Sequence, residues 1–235
     1  MRKIFGTASL HRLSTKSCEK VIDVALNNGF LQFDTAGVYG LGATNKFIGN
    51  LGLSREVDFS AKLGLKSGKT FGSYRTEVLL RKLLLPKASK IKVDNCYSNW
   101  KKQFETQLLD LRVHKVQRLL LHERFITQNL WEIFQKFINE YKAHFDEYGF
   151  SASWLNLRPF LEDIKDSSLL IQTTPDILSE NFSINAKKIT LYGISKVCNE
   201  SIYINDFKKL GGLVYFSSKP ARIKNFSYKD INYNR

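Results

Sequence analysis

Short apolar runs rich in β-branched and aromatic residues return at intervals along the chain, and most are separated by longer stretches with helical spacing. Eight runs have strand character: Lys3–Gly6, Phe30–Phe33, Val57–Lys62, Val116–Leu121, Tyr148–Ser151, Leu169–Gln172, Ile189–Gly193 and Leu213–Phe216. Helices are predicted at Ser17–Asn28, Thr44–Leu51, Asn99–Leu111, Asn129–His144, Trp154–Ile164 and Asn199–Leu210. In the third of these, Trp100, Phe104, Leu108 and Leu111 are read as the buried stripe. Alternating strands and helices build a parallel sheet, because parallel neighbours need a long crossover between them. Eight such units predict an α/β fold of the (β/α)8 TIM-barrel type. The stretch 66–95 fits less well, since Leu79–Leu85 is helical in character while KASKIKVDNC resembles an extended loop. The 235 residues, 43% of them apolar, are enough for one barrel, so one domain over residues 1–235 is expected.

Composition narrows the partners. No apolar run approaches the roughly 18 residues of a membrane span, and the start, MRKIFGTASLHR, lacks the long apolar segment of a secretory signal. A cytoplasmic protein without membrane contact is the expectation. Cys18, Cys96 and Cys198 are odd in number and far apart, which predicts free thiols, no disulfide and no metal site. The formal charge of +14 is spread from Arg2 to Arg235 and is densest at Lys82–Lys92. It accompanies no zinc-finger, RNP or basic-zipper pattern, so nucleic acid is not expected, and a phosphate-bearing cofactor or substrate explains the charge better.

In a parallel barrel the chemistry sits where the carboxyl ends of the strands meet at one mouth. FLQF runs into Asp34, VDFSA into Lys62 and VQRLLL into His122, and Tyr39 follows Asp34 by five residues in the glycine-containing loop DTAGVYGLG. Taken singly, each reads as a turn former or cap. Taken together they form a proton-transfer set. A lysine ammonium beside a phenol favours the phenolate and lowers the tyrosine pKa from about 10. Asp34 would hold Lys62, His122 would donate to a carbonyl oxygen, and Tyr39 would protonate that oxygen.

With these residues goes a series of segments, FDTAGVYGLGATNKFIG, FSAKLGL, RLLLHE, GFS, LLIQ, ITLYGIS and GLVYFSSKPARIKNF, that resembles the aldo-keto reductase family in order over nearly the whole chain. The resemblance implies an NADPH (NADP+)-dependent reductase of a small-molecule aldehyde or ketone, with Asp34, Tyr39, Lys62 and His122 as its catalytic tetrad. On the cofactor side it implies Gly6 and Thr7, then Ser151 and Gln172 at the nicotinamide carboxamide and Tyr192 stacked on its ring. It implies Ser217, Ser218, Lys219 and Arg222 at the 2'-phosphate and Asn225 at adenine. The plainer readings are a core aromatic for Tyr192, a strand cap for Gln172 and an ordinary basic helix for PARIKNF.

The chain departs from the family pattern in two places. Ala152 stands where an asparagine helps to hold the carboxamide. Only ten residues follow Asn225, which predicts a shortened C-terminus without the family's last helix and pocket-roofing loop. An open mouth would suit an anionic or sugar-linked carbonyl. The competing functions are a cofactor-binding regulatory subunit, and a barrel epimerase or lyase that uses Lys62 and His122 without nicotinamide.

Overall fold

The computed structural model describes residues 1–66, 92–122, 126–161, 168–179, 185–193 and 209–226. Cys198, most of the helix predicted at 199–210 and the residues after 226 lie outside them, as do 67–91 with the helix predicted at Leu79–Leu85.

Eight parallel strands close into a barrel: β1 (Arg2–Gly6), β2 (Gln32–Asp34), β3 (Asp58–Leu63), β6 (Val116–His122), β7 (Phe145–Ser151), β8 (Leu170–Thr173), β9 (Ile189–Leu191) and β10 (Gly212–Tyr215). β10 returns to pair with β1, so that Arg2 faces Gly212 and Phe5 faces Tyr215. The parallel barrel with its surrounding helices is the predicted fold. Two short strands, β4 (Leu65–Lys66) and β5 (Lys92–Val93), pair antiparallel beyond the mouth end of β3, which makes Lys92–Val93 of the expected loop a strand.

The helices are α1 (Thr15–Asn27), α2 (Ala43–Asn50), α3 (Tyr97–Leu111), α4 (Gln128–Tyr141), α5 (Trp154–Leu161) and the short α6 (Pro220–Lys224). Local chemistry starts two of them. Ser14 caps α1 by accepting the Ser17 N–H at 3.2 Å, and Thr127 caps α4 by accepting that of Leu130 at 3.3 Å. On α3 the fully buried face is Trp100, Phe104, Gln107 and Leu111. Leu108, expected on that face, is only partly buried and packs at its edge.

The core lies between the outer faces of the strands and the helices. Phe104 meets Phe137 edge-on at 5.5 Å, Phe5 meets Phe33 at 5.2 Å, and Phe150 meets Phe160 at 5.5 Å. On the opposite face of the strands, inside the barrel, Ile4, Leu120 and Leu170 alternate with polar residues: Asp34, Ser60, Lys62, Arg118, Gln172 and Thr190 are all buried there. Gly149 is fixed by the closeness of two strands, since a Cβ at that position would lie 1.9 Å from the carbonyl oxygen of Leu170. Among the described residues, no helix is long and apolar enough to cross a membrane.

Candidate active site

Three strands and one loop deliver the tetrad. Asp34 ends β2, Lys62 lies one residue from the end of β3, and His122 ends β6. Tyr39 is brought back over the mouth by a turn in which Gly40, Leu41 and Gly42 take φ values of 58°, 58° and 93°. Two of these three left-handed positions are glycines, the residue that pays no steric penalty there.

Lys62 Nζ donates to Asp34 Oδ2 at 2.8 Å and to the Tyr39 hydroxyl at 3.1 Å. The Tyr39 and His122 rings meet edge-on, with their centroids 6.0 Å apart. The side chains of Asp34 and Lys62 are only 4% and 3% exposed, so this is an ion pair shielded from water. All four residues line one cavity of about 440 Å³ together with Gly6, Ser151, Gln172, Tyr192 and Phe216.

Burial and charge set the protonation states. Burial alone would lower the Lys62 pKa, but the Asp34 charge and the Tyr39 contact outweigh it and raise the value, so the ammonium persists. Tyr39 corrects the sequence expectation. Lys62 does pull its pKa down, yet burial acts more strongly in the opposite direction and the net value is raised. The phenol therefore keeps its proton. Burial, aided by the Lys62 charge, lowers the His122 pKa to about 3 and makes the ring a neutral imidazole. It has a single N–H to offer. Among the described residues its buried Nδ1 has no hydrogen-bond partner, and with the N–H on Nε2 that atom is a bare acceptor rather than an orphaned donor.

The expected cofactor residues divide into three groups. Gly6, Ser151, Gln172 and Tyr192 line the cavity. Thr7 does not. It is fully buried, its hydroxyl donates to the Asp34 carbonyl at 2.9 Å and its N–H to the same oxygen at 3.1 Å, so it fixes the backbone of Asp34. The third group lies on the rim after β10. There the Ser217 hydroxyl accepts the Lys219 N–H at 3.1 Å and is occupied by its own turn, whereas Ser218, Lys219, Arg222 and Asn225 are exposed.

The cavity fits a nicotinamide. Ser151 and Gln172 are each 3% exposed and offer a hydroxyl and a primary amide, the groups a carboxamide pairs with, and no described residue hydrogen-bonds to either side chain. Tyr192 adds an aromatic side chain to the lining of the same cavity. Ala152 is buried with its N–H donated to the Gln172 carbonyl at 3.1 Å, and it adds no polar side chain. Among the described residues no cluster of His, Cys, Asp and Glu could hold a metal ion.

A profile of the Aldo/keto reductase family matches residues 4–154, more than half of the chain. The chain belongs to the aldo/keto reductase family. Aldo-keto reductases are oxidoreductases that use a nicotinamide cofactor on carbonyl compounds. No curated protein sequence matches this one. Among solved structures it is similar to a Pseudomonas aeruginosa protein assigned to the aldo-keto reductases, with a TM-score of 0.69 and 13% identity over 94% of this chain and 86% of that one. It is similar to the glycerol dehydrogenase of Gluconobacter oxydans, with a TM-score of 0.65 and 16% identity over 100% and 86%. An aldo-keto reductase of Klebsiella pneumoniae in complex with NADPH gives a TM-score of 0.60 and 14% identity over 97% and 84%. At these identities the likeness is one of fold.

One residue at this site was missed from the sequence. Gln107 of α3 bonds to the backbone of Lys62 on both sides, with Nε2 to the carbonyl at 3.0 Å and the Lys62 N–H to Oε1 at 3.4 Å. The signal was present. The spacing 100, 104, 107, 111 places Gln107 on the aromatic face of the helix, where a polar side chain must find partners.

Proposed function

We propose that this aldo/keto reductase reduces an aldehyde or ketone to the alcohol with NADPH, and that Tyr39 is the proton donor. The observation that carries the reading is the hydrogen-bonded series Asp34–Lys62–Tyr39, open to a cavity shared with His122. When bound, the nicotinamide supplies the hydride. The chain's own residues do the rest. The neutral His122 donates its single N–H to the carbonyl oxygen and orients it toward the phenol. As negative charge grows on that oxygen, Tyr39 releases its proton to it, and the Lys62 ammonium stabilises the phenolate left behind. Asp34 holds Lys62 in place through that change.

Ser151, Gln172 and Tyr192 are proposed to seat the nicotinamide, with Gly6 leaving room at the mouth. Lys219 and Arg222, helped by Ser218, are proposed to meet the 2'-phosphate, with Asn225 near adenine. Their exposure on the rim supports this, and the planar guanidinium suits two-point contact with a phosphate. Among the described lining residues the one cation is Lys62, which Asp34 engages. That favours a neutral carbonyl, with or without sugar hydroxyls, over a phosphorylated one.

Tyr39→Phe is the deciding experiment. It should abolish turnover while leaving NADPH binding, followed by fluorescence titration, within about twofold. Undiminished turnover in this variant would remove the acid role. Arg222→Ala should weaken NADPH far more than NADH, because only the former carries the 2'-phosphate, and equal losses would count against the phosphate assignment. A second reading, a cofactor-binding subunit without turnover, draws on the apolar Ala152 beside the carboxamide pair. Single-turnover oxidation of bound NADPH by a panel of carbonyls separates the two.

A further inference from the structure

The backbone of Lys62 lies where the barrel wall loses a strand. β2 pairs with β3 only as far as Asp34 opposite Ser60, and the last bond across that seam runs from the Thr35 N–H to the Ser60 carbonyl at 3.2 Å. There the chain leaves the sheet to carry the Tyr39 loop, while β3 continues along β6 to Leu63. In a parallel ladder the N–H and C=O of one residue face the same neighbour, and the neighbour alternates along the strand. Ser60 faces β2, so Lys62 does too, after β2 has gone.

Gln107 fills the gap. A primary amide presents the same acceptor and donor as a peptide unit, and this one bonds to both backbone groups of Lys62. It is 2% exposed and sits on the buried face of α3. The side chain is braced on two sides. Its Nε2 also donates to the Gln103 carbonyl at 3.3 Å, and Gln103 Nε2 donates to Asp94 Oδ2 at 2.7 Å. The Asp94 N–H returns to the carbonyl of Gly64, two residues past Lys62, at 2.8 Å. On the other side Gly37, in the Tyr39 loop, lies so close that a Cβ there would be 3.3 Å from Gln107 Cδ.

We propose that Gln107 is a positioning residue for the proton-donating centre: its side-chain amide stands in for the missing strand, fixes Lys62 at the mouth, and through Gly37 sets the loop that carries Tyr39. The hydrogen bonds stand on their own, and only the catalytic consequence rests on the reductase reading.

Two measurements test it. Gln107→Leu removes both bonds and puts an apolar side chain of similar size in their place. Hydrogen exchange at the Lys62 amide should then accelerate at least about tenfold while the amides of β7 and β8 keep their protection. In steady state, kcat should fall about tenfold or more with KM within about twofold, because a misplaced donor harms the reaction more than binding. Gln107→Glu supplies the conservative control. Protonated, its carboxyl offers the same acceptor and donor, and ionised it loses the donor beside the Lys62 carbonyl. The charged groups linked to it are Lys62 on β3, Asp34 on β2 and Asp94 ahead of α3. This variant should match the unsubstituted protein at acid pH and lose kcat as the carboxyl ionises. It also decides the matter if Gln107→Leu does not fold.

An unchanged Lys62 exchange rate in folded Gln107→Leu, or a Gln107→Glu profile that tracks the unsubstituted protein at every pH, would overturn the proposal. Absence of turnover in the unsubstituted protein would instead sink the reductase reading, and the exchange experiment would still decide the clamp.

Discussion

Asp34 and Lys62 are buried side by side, so removing one leaves the other as an uncompensated charge away from water. Lys62→Met should therefore destabilise the fold by about 3–5 kcal/mol in denaturant unfolding, and Asp34→Asn added to it should recover much of that loss. A double variant no more stable than Lys62→Met would show that the pair is not coupled. His122 gives a pH dependence with a definite sign. Its folded pKa of about 3 lies below the ordinary histidine value. As pH falls below about 6.5, the unfolded chain gains a proton that the folded ring refuses, so stability present at neutral pH is lost toward acid by up to about 1.4 kcal/mol per unit. The gap in stability between the unsubstituted protein and His122→Gln should shift against the former from pH 7 to pH 5. Tyr39, with its pKa raised, should give no alkaline fall in the reduction kcat below about pH 10. These four residues were legible because each ends or follows an apolar run. The direction of the Tyr39 shift was not, since it is a contest between burial and one ammonium, and the amount of burial is set by residues remote in sequence.

At the scale of elements, every strand run recurs as a strand, and the differences at the ends have local causes. β2 starts at Gln32 rather than Phe30 because the Phe30 N–H still bonds to the Ala25 carbonyl at the end of α1. β7 starts at Phe145, before the predicted Tyr148, and its added residues include Glu147, which is paired with Arg118 and Arg2. An ion pair hides a strand from a hydropathy pattern. The β7–β8 seam tolerates no side chain at Gly149, so Gly149→Ala should cost on the order of 3 kcal/mol by thermal unfolding, and a loss under 0.5 kcal/mol would mean that the strands part easily. Gln107 stayed hidden for a related reason: its partner is a backbone segment 45 residues earlier, and sequence spacing reveals faces, not what lies opposite them.

For the whole molecule, the order of strand–helix units carried the fold, while its closure depends on β10 meeting β1, a contact between the two ends of the chain. A ligand spanning the mouth from the Gln172 side to the rim near Arg222 would bridge β8 and the segment after β10. NADPH at 100 times its dissociation constant should then raise the unfolding free energy by about 2.7 kcal/mol, read as a concentration-dependent rise in Tm, and an unmoved Tm would exclude tight binding. The aromatic packing that holds the fold together lies outside the barrel wall, whereas the side chains facing inward are largely polar. Cohesion and chemistry are thus written on opposite faces of the same strands. Exchanges at the mouth can retune what the enzyme accepts while the outer apolar layer that packs the helices onto the strands goes untouched.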